Sequence, residues 1–557
     1  MRLKRLGVLA SGLAATSVAA CDVGGRRVQL ALDAMTTRDL EAHIQVLASD
    51  SFEGRGPASP GERKTIAYLS SEFEKLGLRP GNAGEWVQPV PLVAITADRN
   101  MTLSVTGPGA VRTHRYGADF IAFTRRVVPQ SSLANSEVVF AGYGVVAPEY
   151  GWNDYEGLDA RGKTVIVLVN DPGFATGDTT LFRGRSMTYY GRWTYKYEEA
   201  ARQGAAGAFI VHETEPAAYP WDVVTGSWSG EQFGLVARDS NMSRAAVEGW
   251  LTVEAARAVF RQAGQDYDSL KARAMRRGFR PVPLGLRASV TVRNRIRSST
   301  SNNLLALLPG AERPGEYVIY MAHWDHLGRD TSLEGDEIYN GALDNASGTA
   351  GLLVLAKAFA SLDPPPRRSI VFLAVTAEEQ GLIGSAHYAQ NPVYPLDRTA
   401  AVINMDGLNH IGPTRDITVI GYGNSALDDY LAQAAQTQGR VLKPDAEPEK
   451  GFYYRSDHFN FAKAGVPALY TDAGVDHVER GEAYAREQRD KYTAERYHKP
   501  SDEYDPSRDL RGAIDDLRLL FLVGYRIANE SAFPNWRPGT EFRAIRDSMM
   551  AGRSRAP

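Results

Sequence analysis

The feature that most constrains this chain is a series of continuous apolar runs, each ending in polar residues. From about residue 286 the sequence reads "SNNLLALLPG", "EYVIYMAHWDH", "RRSIVFLAVTAEE", "TAAVINMDG", "ITVIGYG" and "VPALYTD", with helical segments between several of them. Unbroken apolar strands alternating with helices require burial on both faces. The predicted fold class is therefore α/β, a mostly parallel central sheet sandwiched by helices. In such sheets ligands bind beyond the carboxyl ends of the strands. The residues found there are His323, Asp325 and His326 after one run, Glu378 and Glu379 after the next, and Asp406 after a third. Asp344 opens the helical segment at 341, and His498 follows in "RYHKPSDEYD".

Each of these has an ordinary explanation by itself. Glu378 and Glu379 suit the first turn of a helix, where carboxylates complement the dipole. Asp344 can cap the following helix, Asp406 can start an Asp-Gly turn, and His498 can pack beside Tyr497. Together they place two histidines and several carboxylates along one sheet edge. Imidazole and carboxylate are common ligands of catalytic zinc. A pair of zinc ions about 3.5–4 Å apart would need a bridging carboxylate.

The segments "AHWDHLG", "NGALDNASGTA", "TAEEQGLIGS", "INMDG" and "YHKPSDEYD", in that order, resemble the co-catalytic zinc exopeptidases. That family includes secreted bacterial aminopeptidases, glutamate carboxypeptidase and the transferrin receptor. The resemblance implies two zinc ions per chain. His323 and Asp406 would hold one, Glu379 and His498 the other, and Asp344 would bridge them. It further implies a cis peptide at Asp344–Asn345 and Asp325 holding the far nitrogen of His323. Glu378 would be the general base, taking a proton from the attacking water and returning it to the leaving amine. Tyr453, in "GFYYRSDHF", would stabilise the oxyanion, with Tyr454 as the neighbouring alternative. Asp457 and His458 are expected to support the site.

The implied activity is peptide hydrolysis from a chain end, with an aminopeptidase favoured. A carboxypeptidase or dipeptidase of acidic peptides is the alternative, and Arg455 could then pair a substrate carboxylate. Glutaminyl cyclases share a related fold but use one zinc, and the second ligand set here argues against them. A receptor on an inactive scaffold would be expected to lose ligands or the base, and none is lost here.

Residues 131–285 are β-rich, and their "GYG…DY.G.D..GK.V" pattern resembles an inserted protease-associated domain. "EGWLTVEAARAVFRQAG" and "SLKARAMRRG" read as helices closing it. Its Trp193, Tyr195, Trp221 and Trp228 would wall a cleft or fill the module's own core. The expected organisation is a peptidase domain in two parts, 36–130 and 286–535, with a C-terminal tail at 536–557.

The N-terminus adds a location. Arg2, Lys4 and Arg5 precede an apolar run from Leu6 to Ala20, the pattern of an export signal. The run ends in "VAAC", which resembles the lipobox of bacterial lipoproteins, and Cys21 is the only cysteine. The expectation is a signal peptide at 1–20, a lipid on Cys21 and a linker at 21–35. The partners are then peptide substrates and, through the lipid, a membrane. Charged residues are 23% and the formal net charge is −3, which excludes a nucleic-acid surface built on charge excess.

Overall fold

The computed structural model describes residues 25–553 except Ser229. The expected signal segment and Cys21 lie outside these residues. Among the described residues no helix is long and apolar enough to cross a membrane.

The central sheet is built from β1 (Val87–Ala97), β2 (Val282–Leu308), β3 (Arg313–His323), β4 (Arg368–Val375), β5 (Thr399–Asn404) and β6 (Ala468–Asp472). β3 lies between β4 and β5 and runs parallel to both, and β5 runs parallel to β6. β4 pairs antiparallel with the C-terminal end of β2, which pairs antiparallel with β1. The chain thus leaves β3 to one side for β4 and crosses to the other side for β5. That reversal opens a crevice at the C-terminal end of β3, the usual binding position in open α/β sheets.

Both faces of the sheet are buried, and strand periodicity divides the side chains between them. Val318, Tyr320 and Ala322 of β3 join Phe372 of β4 in one core. Helices α1 (Gly348–Ala360) and α2 (Arg511–Asn529) cover that face, contributing Leu353, Phe359 and Phe521. Ile319, Met321, Val371 and Leu373 point the other way, against Tyr388, Phe461 and Trp536.

The inserted unit has its own sheet. Thr164–Leu168 runs parallel to Val138–Phe140 and to Gly207–His212, which runs parallel to Val247–Thr252. Two apolar clusters fill its faces. β2 is 27 residues long and serves both sheets, its N-terminal part in the insert and its C-terminal part in the central sheet. Glu231–Leu235 returns from the insert to pair with β1.

Three expectations need correction. The hairpin Thr102–Arg115 and the strand Phe120–Phe123, expected with the peptidase, pair within the inserted sheet, so that unit begins before residue 131. "EGWLT", expected as helix, is strand Val247–Thr252, with the helix beginning at Val253. The described parts of the expected linker and tail, 25–35 and 536–553, are packed rather than free. Ala31 and Met35 lie in the core, as do Trp536 and Phe542, while buried Arg546 donates to the Thr399 carbonyl at 2.9 Å.

Candidate metal centre

Each strand end delivers its residue to the crevice. His323 is the last residue of β3. Glu378 and Glu379 follow β4 after a turn in which Ala377 takes a positive φ of 53°. Asp406 follows β5, and Asp344 lies just before α1. His498 comes from the segment after helix Gly481–Glu495. The Asp344–Asn345 peptide is cis.

The two oxygens of Asp344 face different histidines. Oδ1 lies 3.3 Å from His323 Nε2, and Oδ2 lies 3.1 Å from His498 Nε2. Asp406 Oδ1 is 3.2 Å from the same nitrogen of His323, and Glu379 Oε2 is 3.1 Å from the same nitrogen of His498. Two histidine–carboxylate pairs therefore share one aspartate. The structure brings together all five residues named as ligands, with Glu378 beside them. Three overlapping groups here have donor atoms close enough to hold a metal ion: His323, Asp344 and Asp406; His323, Glu378 and Glu379; and His326, Asp344 and Glu379.

The electrostatics call for positive charge between these carboxylates. Burial opposes the charged form of His323, but Asp406 and Glu378 raise its pKa well above the usual value. Burial likewise opposes charge on His498, yet Asp344 and Glu379 raise it to about 10. Asp344, despite burial, is held well below the carboxylate range by His323 and His498. A divalent cation held by deprotonated ligands would supply positive charge at this place. Glu378 differs from its neighbours. Burial and the charges of Asp406 and Glu379 push its carboxyl well above the usual range, His323 only partly offsetting them.

Asp325 stands one step from its expected place. Its carboxylate is 3.8 Å from His323 Nδ1, while its backbone carbonyl lies at 3.1 Å. The carboxylate instead accepts the backbone N–H of Glu378 at 3.1 Å. A turn only two residues long brings the carbonyl to the ring first.

Tyr453 is not at the reacting centre. Its ring packs against His458, Tyr454 and Phe542, away from the cavity wall. Tyr454 reaches the cavity but donates its hydroxyl to Glu541 at 3.1 Å. The tyrosine beside the ligands is Tyr497, which lines the cavity and stacks on His498 with ring centres 3.9 Å apart. Its position next to His498 in the sequence was the available signal. Asp457 is buried and accepts from Ser385 Oγ at 2.5 Å, and burial raises its carboxyl to about 7.

Two further residues hold the ligands in place. His326 Nδ1 lies 2.5 Å from Glu379 Oε1, so the two oxygens of Glu379 face two histidines. Asp502 Oδ2 accepts the backbone N–H groups of Leu343 and Asp344 at 3.0 and 3.1 Å, and Arg508 pairs with its other oxygen. Such partners fix ligand orientation.

A cavity of about 1810 Å³ opens over the centre, lined by Asp344, Glu378 and His498 and by Arg192, Trp193 and Phe233 of the insert. Of the aromatics expected as cleft walls, Trp193 lines it. Tyr195 is buried, Trp228 stacks on Phe123 at 3.9 Å, and Trp221 donates to the Gly117 carbonyl.

The chain is 39% identical over 137 residues to "Aminopeptidase NAALADL1" of Mus musculus, a match covering 23% of this chain and 17% of that protein. It is 34% identical over 127 residues to the "Glutamate carboxypeptidase 2 homolog" of Caenorhabditis elegans, covering 22% of this chain and 15% of that protein. The matched stretch thus spans under a fifth of the length of either relative. Among solved structures, the aminopeptidase from Aneurinibacillus sp. strain AM-1 aligns with a TM-score of 0.47 at 20% identity, covering 90% of this chain and 96% of that one. Residues 303–521, which supply all five ligand candidates and Glu378, match the family model for peptidase family M28.

Proposed function

We propose that this protein is a zinc-dependent exopeptidase, an aminopeptidase that removes N-terminal residues from peptides. The carrying observation is Asp344, whose two oxygens serve two separate histidine–carboxylate pairs. His323 and Asp406 would hold one zinc, Glu379 and His498 would hold the other, and Asp344 would serve both. Zinc in this site supplies Lewis acidity toward the scissile carbonyl and the attacking water.

Glu378 is the base. Its backbone is anchored through Asp325, which holds its carboxylate to take a proton from the attacking water and return it to the leaving amine. Tyr497 stands beside His498 to meet developing charge on the carbonyl oxygen. The insert, read as a protease-associated domain, limits what enters the cavity. The N-terminal segment through Cys21 supports export and a lipid anchor.

A second reading, a carboxypeptidase or dipeptidase of acidic peptides, is favoured by Arg455. It lines the same cavity, and among the described residues it makes no ion pair; its guanidinium lies 5.2 Å from the Phe452 ring. One assay separates the two. Matched peptides with free and acetylated N-termini are incubated with the protein, with and without chelator, and the products weighed. Loss of single N-terminal residues from the free peptides alone, stopped by chelator and restored by zinc, is the expected result. C-terminal trimming establishes the second reading. Glu378→Gln is expected to keep its zinc and lose about 10²–10⁴-fold in kcat. A folded, zinc-loaded protein that cleaves no peptide overturns both readings.

A further inference from the structure

We infer that Arg55 is a positioning residue for the metal centre, a single buried guanidinium that fixes the His323 loop against the Asp344 loop. This rests on reading the site as a metal centre and goes beyond it, because Arg55 lies about 270 positions from the nearest ligand candidate, outside the M28 segment.

Arg55 is fully buried. Its Nε donates to the Trp324 carbonyl at 2.9 Å, and Trp324 directly follows His323. Nη1 donates to the carbonyls of Asn340 at 2.6 Å and Leu47 at 2.8 Å, and Nη2 donates to Gly341 at 2.8 Å, three residues before Asp344. Its own carbonyl accepts the N–H of His326 at 3.3 Å. One side chain therefore joins the ends of both loops and ties them to the N-terminal helix Thr37–Leu47.

The local backbone is built to deliver this side chain. Gly54 and Arg55 both have positive φ, 64° and 48°. A Cβ on Gly54 would sit 2.2 Å from the Gly328 carbonyl and 2.7 Å from that of Tyr339, so only glycine permits this approach. Asp50 Oδ1 from the same turn accepts Asn340 Nδ2 at 2.8 Å, pinning the Asp344 loop a second time.

Arg55 reaches its acceptors without consuming ligand atoms. Among the described residues it makes no ion pair, although Asp325, Asp502, Asp344 and Glu379 are its nearest opposing charges. It offsets the charge of the acidic cluster while bonding only carbonyls. The carboxylate oxygens stay available for metal. Burial lowers its pKa to about 10, and those carboxylates oppose the fall, so it is a cation at neutral pH. The planar fork is essential. A lysine has its donors on one atom and cannot serve carbonyls from three segments at these angles.

The test compares wild type, Arg55→Lys and Arg55→Gln. For each, zinc affinity is measured by competition with a chromophoric chelator. The cobalt(II) visible spectrum reports ligand geometry, and denaturant unfolding gives the stability of the zinc-free protein. Arg55→Lys keeps the charge and loses the fork. It is expected to fold, to lose zinc affinity on the order of 10- to 100-fold and to shift the cobalt spectrum. Wild-type affinity and spectrum in either folded variant overturn the inference. So does a series in which fold and zinc are lost together at every substitution, which makes Arg55 a scaffold residue only. Wild-type protein that binds no zinc would instead sink the metal-centre reading itself.

Discussion

His458 shows what burial does to a single titratable side chain here. It is fully buried between the rings of Tyr453 and Tyr470, with centroids at 4.7 and 4.8 Å. Burial pushes its pKa down to about 3, the Tyr453 backbone only partly offsetting this. The unfolded chain takes up a proton near pH 6.5, and the folded one does not. Stability from this group is thus complete above pH 6.5 and is lost as pH falls toward 3, with a slope of about 1.4 kcal/mol per pH unit. In denaturant unfolding of the zinc-free protein from pH 7 to 4, the slope of His458→Leu should be smaller than that of wild type by this amount. Parallel curves for the two proteins would rule the effect out. The strand-end residues were legible because each is fixed by its own apolar run. His323 and Asp406 need no distant information to be placed at the crevice. Arg55 and Asp502 were not legible, because their bonds run to backbone carbonyls and N–H groups, which leave no trace in sequence. Tyr453 was misplaced for a related reason. In a Tyr-Tyr pair the sequence does not say which ring faces the cavity, and here Glu541 from the C-terminal segment holds Tyr454.

The element that carries Glu378 and Glu379 is a closed loop rather than a helix start. Its ends meet at the top of β4, where Gly384 N donates to the Thr376 carbonyl at 2.9 Å and Ile383 N to that of Ala377 at 3.0 Å. Asn303 in the C-terminal part of β2 clamps both ends, accepting from Thr376 N at 3.1 Å and donating to the Gly384 carbonyl at 2.9 Å. A Cβ at Gly384 would lie 2.3 Å from the Thr376 carbonyl and 2.5 Å from Asn303 Oδ1. Gly384→Ala must therefore spread the loop ends and displace both glutamates. A loss of about 1–3 kcal/mol in denaturant unfolding is expected, as for overpacking. Peptidase activity should fall further than stability alone explains, since small misplacements of catalytic groups are costly. A variant with wild-type kcat would show that the loop tolerates opening. The apolar pattern located β3 to β6 and the C-terminal end of β2, but neither β1 nor the strands' partners. Phe120–Phe123 is as apolar as a peptidase strand, and only its pairing with Val247–Thr252 assigns it to the insert.

At the scale of the whole molecule, two sets of cores share one strand. The peptidase cores and the insert's cores are built from different side chains, with β2 and the short strand Glu231–Leu235 as the sheet connections. The ligand candidates all lie at the central sheet, while Arg192, Trp193 and Phe233 of the insert line the same cavity. Metal bound only by the folded peptidase stabilises that part by mass action and leaves the insert's intrinsic stability unchanged. Separate cores of this size favour separate cooperative units. Scanning calorimetry of the zinc-loaded protein is therefore expected to show two transitions. Removing zinc should lower one of them and leave the other in place. The unmoved transition should be recovered in hydrogen exchange as protection in Thr164–Leu168, Gly207–His212 and Val247–Thr252. One transition that moves as a whole on chelation would mean that β2 couples the two units tightly. In that case the insert is part of the site's rigid frame rather than an independent wall, and substitutions in its core should change zinc affinity as well as substrate access.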